Sequence, residues 1–157
     1  MKIILVDDDR FALEAISHML HWERFDGELA GCATNGTEAI ALLNTQHPDV
    51  VISDIRMPDM DGLDLAQYLY EHCPDTRMIL ISGHGEFEYA QRALQYQVTD
   101  YILKPITRAK LNSLEDRLCA IQKELSADVP PWYACDEELR TRVSEALHRG
   151  DMAAMGE

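Results

Sequence analysis

The sequence predicts an α/β fold: one doubly wound, five-stranded parallel sheet with helices on both faces. Two observations carry this. Short apolar, β-rich runs at 3–6, 28–33, 50–53, 78–82 and 101–103 alternate with segments whose apolar residues recur at helical spacing. Each run is followed by one such segment, and parallel strands need helical crossovers of that kind.

The first run opens the chain, and Leu13, Ile16 and Leu20 then mark the apolar stripe of a first helix. Asp9 stands just before that helix, as an N-cap would. The second run has Glu28, Gly31 and Thr34 in and around it and reads as nearer an edge. Ala39, Leu42 and Leu43 mark the second helix. The first and third runs are nearly unbroken apolar segments, as suits central strands covered on both sides. Leu63, Ala66, Leu69 and Tyr70 mark a third helix, Tyr89, Ala90, Ala93 and Leu94 a fourth. Leu111, Leu114, Leu118, Ile121 and Leu125 mark the fifth.

The pattern breaks near Ser126. Residues 126–131 end in paired prolines and read as a linker, because Pro130 and Pro131 stop a helix and stiffen an extended chain. A short helix is expected over 136–149, capped by Asp136 and stopped at Gly150. The expected division is therefore a domain at 1–125 and, at 126–157, a linker and helix too small to build its own core.

Of the 157 residues, 46% are hydrophobic and 27% charged, a globular composition. Twenty-eight acidic against 14 basic residues give a formal charge of -14, which repels polyanions and argues against direct binding to nucleic acid or an anionic membrane. Cys32, Cys73, Cys119 and Cys135 form no C-x-x-C pair and are expected to be reduced thiols of a cytoplasmic protein. No long apolar stretch suggests a signal peptide or a membrane span.

In an open parallel sheet, function is expected at the carboxyl ends of the strands. Asp7, Asp8 and Asp9 follow the first strand, Asp54 the third, Ser82 and Gly83 the fourth, Lys104 and Pro105 the fifth. Converging carboxylates repel one another, and an all-oxygen site with room for water suits Mg²⁺. A carboxylate held beside that cation can attack a phosphoryl group and become an acyl phosphate. Lys104 would supply a second cation, Ser82 a hydroxyl donor and Gly83 a backbone N–H.

These pieces resemble the receiver domain of two-component response regulators: KIILVDDD at 2–9, DVVISDIRMPDMDG at 49–62, MILISG at 78–83 and DYILKPI at 100–106. The resemblance covers roughly residues 1–125 and implies the flavodoxin-like strand order 2-1-3-4-5. It implies Asp54 as phosphoacceptor, Asp7 and Asp8 as the acidic pair with Asp8 the more direct magnesium ligand, and the Arg56 backbone carbonyl as a further ligand. Ser82 and Tyr101 would be the switch residues and Lys104 the family's lysine, followed by a cis bond to Pro105. Arg56 and His84 flank the site in the family pattern and would tune phosphoryl lifetime. The implied partner is a sensor histidine kinase docking near Ala12, Leu13 and Ile16. Phosphorylation would alter the surface of the fourth helix, fifth strand and fifth helix and favour a homodimer. The segments SGHGEFEYAQRAL and IRMPDMDG resemble receivers that carry AraC-type helix-turn-helix output domains. DNA would then be reached only through an output domain outside this chain, making the chain the N-terminal piece of a longer transcriptional regulator.

Other functions meet specific obstacles. A haloacid-dehalogenase-type phosphatase needs a second acid where this chain has Arg56. A flavodoxin-like FMN site would set a phosphate against Asp7, Asp8 and Asp9. The remaining alternative is a receiver-shaped interaction module that takes no phosphate.

Overall fold

A computed structural model describes residues 1–83 and 85–126. The expected tail helix and the expected linker, apart from Ser126, which closes the last helix, lie outside the described residues. The chain divides into two compact units, the first being Met1–Glu115 and the second starting at Asp116, within the last helix.

The elements alternate as β1(Lys2–Val6), α1(Arg10–Met19), β2(Glu28–Ala33), α2(Gly36–Gln46), β3(Val50–Asp54), α3(Gly62–His72), β4(Arg77–Ser82), α4(Phe87–Gln95), β5(Asp100–Leu103) and α5(Arg108–Ser126), with a 3-10 turn at Trp22–Phe25. All four strand pairings are parallel. The sheet order is β2-β1-β3-β4-β5, so β1 and β3 are interior and β2 is an edge. The order reverses between β1 and β3, where a crevice opens at the carboxyl ends of neighbouring strands.

Strand alternation sends every second side chain to one face. Ile4, Val6, Val51, Met78 and Leu80 join Ala39, Leu43, Leu63, Leu65, Ala66, Leu69 and Ala93 in one buried cluster, so α2, α3 and α4 cover that face. Ile3, Leu5, Ile52 and Ile79 point the other way and are equally buried, with Leu13 and Ile16 of α1 buried on β1's side.

Three stripe residues do not face the core. Tyr70 is 48%, Leu94 77% and Leu125 42% exposed. Leu94 lies at the margin of its stripe, where a helix of 3.6 residues per turn carries the side chain past the contact line; Leu125 is the penultimate residue of α5, and the Tyr70 ring lies 6.2 Å from that of Tyr96. Leu94 instead shares an outer face with Phe87, seven residues earlier and 76% exposed. Leu65, absent from the expected stripe of α3, is fully buried.

Local chemistry fixes the helix starts beside the strand ends. Asp9 caps α1, its carboxylate accepting from the Phe11 N–H at 2.9 Å. Asp61 caps α3 in a reciprocal capping box with Asp64. The loop between β3 and α3 closes on Gly62, whose N–H donates to the Ile55 carbonyl at 2.7 Å. A side chain at Gly62 would collide with the backbone of Asp54 and Ile55.

Candidate functional site

The ladder continues just past the strand ends and brings three loops to one rim. Asp7 N–H donates to the Ala33 carbonyl at 3.0 Å, Ile55 N–H to Ile81 at 3.1 Å, and Lys104 N–H to Ser82 at 2.7 Å. Asp7, Asp54, Ser82 and Lys104 are therefore placed by backbone hydrogen bonds of adjacent strands.

Asp7 and Asp54 are held in the same manner. The Oδ1 of Asp7 accepts from the Asp9 N–H at 2.9 Å, and the Oδ1 of Asp54 accepts from the Ile55 N–H at 2.9 Å. Each then turns its Oδ2 to Lys104, whose Nζ lies 3.5 Å from both. Asp8, exposed, completes a trio: one carboxylate oxygen from each of Asp7, Asp8 and Asp54 lies within 4.8 Å of the others.

Among the described residues the charges at the rim do not balance: three carboxylates face the Lys104 ammonium. Burial raises the Asp7 carboxyl above its ordinary value, with the Asp9 N–H and Lys104 opposing and Asp54 adding to the rise. Burial likewise raises Asp54, against the pull of Lys104 and the Ile55 N–H and with a further push from Asp8. The Lys104 ammonium loses solvation, yet Asp54 and Asp7 outweigh that loss and raise its pKa. The buried Asp7 and the half-buried Asp54, sharing one cation, leave negative charge uncompensated, and a hard divalent cation coordinated by oxygen meets that need. The donor set fits Mg²⁺.

Ser82 is buried at the end of β4, with Gly83 beside it; a methyl group at Gly83 would meet nothing nearer than the Lys104 Cδ at 4.0 Å. The Lys104–Pro105 bond is cis. Tyr101, on β5, is half-buried and packs against the α2–α3–α4 cluster. The Arg56 side chain leaves the acidic rim for α4: its Nε donates to the Tyr89 hydroxyl at 3.2 Å and its Nη2 lies 3.0 Å from Glu86 Oε1. His84 lies outside the described residues.

Two arrangements escaped the sequence reading. One is the contact of Arg56 with Glu86 and Tyr89, partners 30 and 33 residues away with no local signal joining them. The other is Glu115, fully buried on α5, accepting from the His21 N–H at 3.0 Å and paired with Arg24. A signal for it existed: Glu115 stands four residues after Leu111 and three before Leu118, on the buried stripe of its helix.

A doubly wound sheet with three carboxylates and a lysine at the switch-point rim defines a class of α/β domain suited to metal-assisted phosphoryl chemistry. Residues 3–114 match the model of the response regulator receiver domain, and the chain belongs to that family, the signalling receivers of two-component systems. It is 38% identical over 124 residues to the uncharacterized transcriptional regulatory protein YesN of Bacillus subtilis, taking in 78% of this chain and 34% of YesN. The transcriptional regulatory protein HptR of Staphylococcus aureus is 34% identical over 117 residues, 74% of this chain and 46% of HptR. The chain thus spans a third to about half of these relatives. Among solved structures, the receiver domain of AraT, a response regulator from Geobacillus stearothermophilus, superposes with a TM-score of 0.70 at 36% identity, covering 79% of this chain and 94% of that one. Among the described residues no helix is long and apolar enough to cross a membrane.

Proposed function

We propose that this chain is a phosphorylation switch in which Asp54 accepts a phosphoryl group from the histidine of a sensor kinase. The observation that carries the reading is the pairing of Asp7 and Asp54 on one Lys104 ammonium, with Asp8 beside them. An oxygen of Asp54 forms the new P–O bond while the donor's P–N bond breaks and the imidazole departs. Lys104 stays protonated and stabilises charge on the transferring oxygens, and Ser82 donates its hydroxyl to one of them. Asp7, Asp8, Asp54 and the Arg56 carbonyl would hold Mg²⁺, which supplies charge neutralisation at the phosphoryl oxygens.

The output follows from the same residues. Ser82 drawn toward the phosphoryl group vacates space for the Tyr101 ring, and the α4–β5–α5 surface changes its preference of partner, favouring a homodimer. Residues 1–125 form the receiver, and 126–157 begin the connection to an output domain of the AraC-type helix-turn-helix class, through which DNA is bound. The names of the YesN and HptR relatives, both transcriptional regulatory proteins, support a transcriptional output. Arg56 and His84 tune phosphoryl lifetime.

The test is incubation with phosphoramidate or acetyl phosphate and Mg²⁺, read by intact mass. One phosphoryl group on the parent and none on Asp54→Asn is the expected result. No adduct with either donor would favour a receiver-shaped module that acts without phosphate.

A further inference from the structure

Arg56 follows the phosphoacceptor by two residues, and its long side chain starts from the loop that shapes the acidic rim. Among the described residues the rim sets three carboxylates against the Lys104 ammonium, so a free guanidinium would be drawn to it. The guanidinium is instead anchored from two sides. Tyr89 Oη accepts from Nε at 3.2 Å, and Glu86 Oε1 pairs with Nη2 at 3.0 Å. The guanidinium carbon also lies 6.0 Å from the centroid of the Tyr89 ring, at the outer limit of a cation–π contact. Because the two acceptors engage different nitrogens of a rigid planar fork, they fix its direction as well as its distance. Both anchors stand at the start of α4, Glu86 at its N-cap position and Tyr89 in its first turn.

We propose that Glu86 and Tyr89 are positioning residues for the phosphoryl site. They hold the Arg56 guanidinium against α4, away from the carboxylates, and so keep the rim open to a divalent cation and to the water that hydrolyses the acyl phosphate. This rests on the phosphoacceptor reading above and names the residues that regulate that site. With the anchors removed, Arg56 competes with the cation before phosphorylation. After phosphorylation it pairs with the phosphoryl oxygens and obstructs the attacking water. Arg56 and Glu86 are about half exposed, so solvent screens the pair, and the expected effects are those of a surface ion pair.

The test compares the whole chain with Glu86→Gln, Tyr89→Phe, Arg56→Gln and the double variant Arg56→Gln/Glu86→Gln. Mg²⁺ binding is followed by calorimetry without any phosphodonor, and phosphoryl half-life by intact mass after removal of donor. Glu86→Gln is expected to bind Mg²⁺ about two- to fivefold more weakly and to hold its phosphoryl group about two- to fivefold longer. Tyr89→Phe should move both quantities the same way by less. In the Arg56→Gln background the Glu86→Gln change should have no further effect, a dependence that a purely structural role of Glu86 would not show. Parent-like affinity and half-life in Glu86→Gln, or shifts that persist undiminished without Arg56, would overturn the proposal. If the parent itself takes no phosphoryl group, the phosphoacceptor reading fails, while the Mg²⁺ titration still decides whether the anchors keep the rim open.

Discussion

Gly62→Ala tests whether the fold and the acidic rim are built on the same contact. Gly62 opens α3 directly behind Asp54, and a Cβ there would stand 2.9 Å from the Ile55 Cα and 3.0 Å from the Asp54 carbonyl carbon, with the Asp54 carbonyl oxygen closer still. Non-bonded carbons settle at about 3.5–4.0 Å, so the backbone behind Asp54 must move by roughly 0.5–1 Å. Forcing an extra methyl into packed structure costs about 1–3 kcal/mol. Replacing glycine by alanine in a helix returns about 0.5–1 kcal/mol, leaving a net loss of about 0–2.5 kcal/mol. For a domain of this size that lowers Tm by up to roughly 10 °C. The displacement also reaches chemistry, because the Ser53 hydroxyl donates to the same Asp54 carbonyl at 2.8 Å and the Asp54 carboxylate follows its own backbone. Thermal denaturation and phosphoryl uptake from phosphoramidate should therefore fall together. Gly83→Ala is the control: among the described residues nothing lies nearer than 4.0 Å, and its stability should stay within about 0.5 kcal/mol of the parent. A Gly62→Ala variant as stable as the parent, with unchanged uptake, would refute the reasoning.

Further predictions concern charge. Asp54→Asn removes an acid whose carboxyl is raised by burial, so without a divalent cation it should stabilise the domain by about 0.5–2 kcal/mol in urea denaturation. A raised acid costs stability as pH climbs through and above its ordinary value, so this gain should shrink as the pH falls toward 3.8 and below. Mg²⁺ at a hundredfold excess over its Kd should stabilise the parent by about 2.7 kcal/mol and Asp54→Asn much less, read as a shift in denaturation midpoint. Glu115 behaves in the opposite sense. Its burial, which raises the carboxyl, is outweighed by the His21 N–H, Arg24 and the His21 ring, so its pKa is held below 4.5. Glu115→Gln should cost about 1–3 kcal/mol at pH 7. That deficit should narrow as pH drops below 4.5 through the depressed pKa, where the parent's carboxylate is also protonated. A deficit constant from pH 7 to pH 3 would show that the ion pairs contribute nothing.

Strand ends were the most legible part of the chain. The apolar runs that end at Val6 and Ser82 stop where the strands stop, because an apolar β-rich segment meeting Asp7 or Gly83 changes both solvation and backbone preference at one residue. Parallel crossovers then force those ends onto one edge, which is why the sequence alone groups Asp7, Asp54, Ser82 and Lys104. The outward turn of Leu94 could not be read in the same way. Periodicity gives the direction of an apolar stripe but not its width, and α4 carries apolar residues on two sides. Glu115 defeats the usual inference from residue type, since a carboxylate on a buried stripe is tolerated only when partners from elsewhere, here His21 and Arg24, come to meet it. Those partners are more than 90 residues away in the chain.

The acidic rim and the Glu115 cluster solve one electrostatic problem in opposite ways. Glu115 has its own hydrogen-bond donors, and its depressed pKa records that the charge is satisfied within the fold. Asp7 and Asp54 share a single Lys104, and their raised pKa values record that it is not. A domain selected only for stability would have supplied a second cation, and Arg56 stands two residues from Asp54, able to serve. Its guanidinium is instead bound to Glu86 and Tyr89. On the phosphoacceptor reading proposed above, the deficit is left for a divalent cation and an incoming phosphoryl group to offset. A ligand that binds the folded rim then adds its own binding free energy to the stability of the domain, which is the response the Mg²⁺ titration reads.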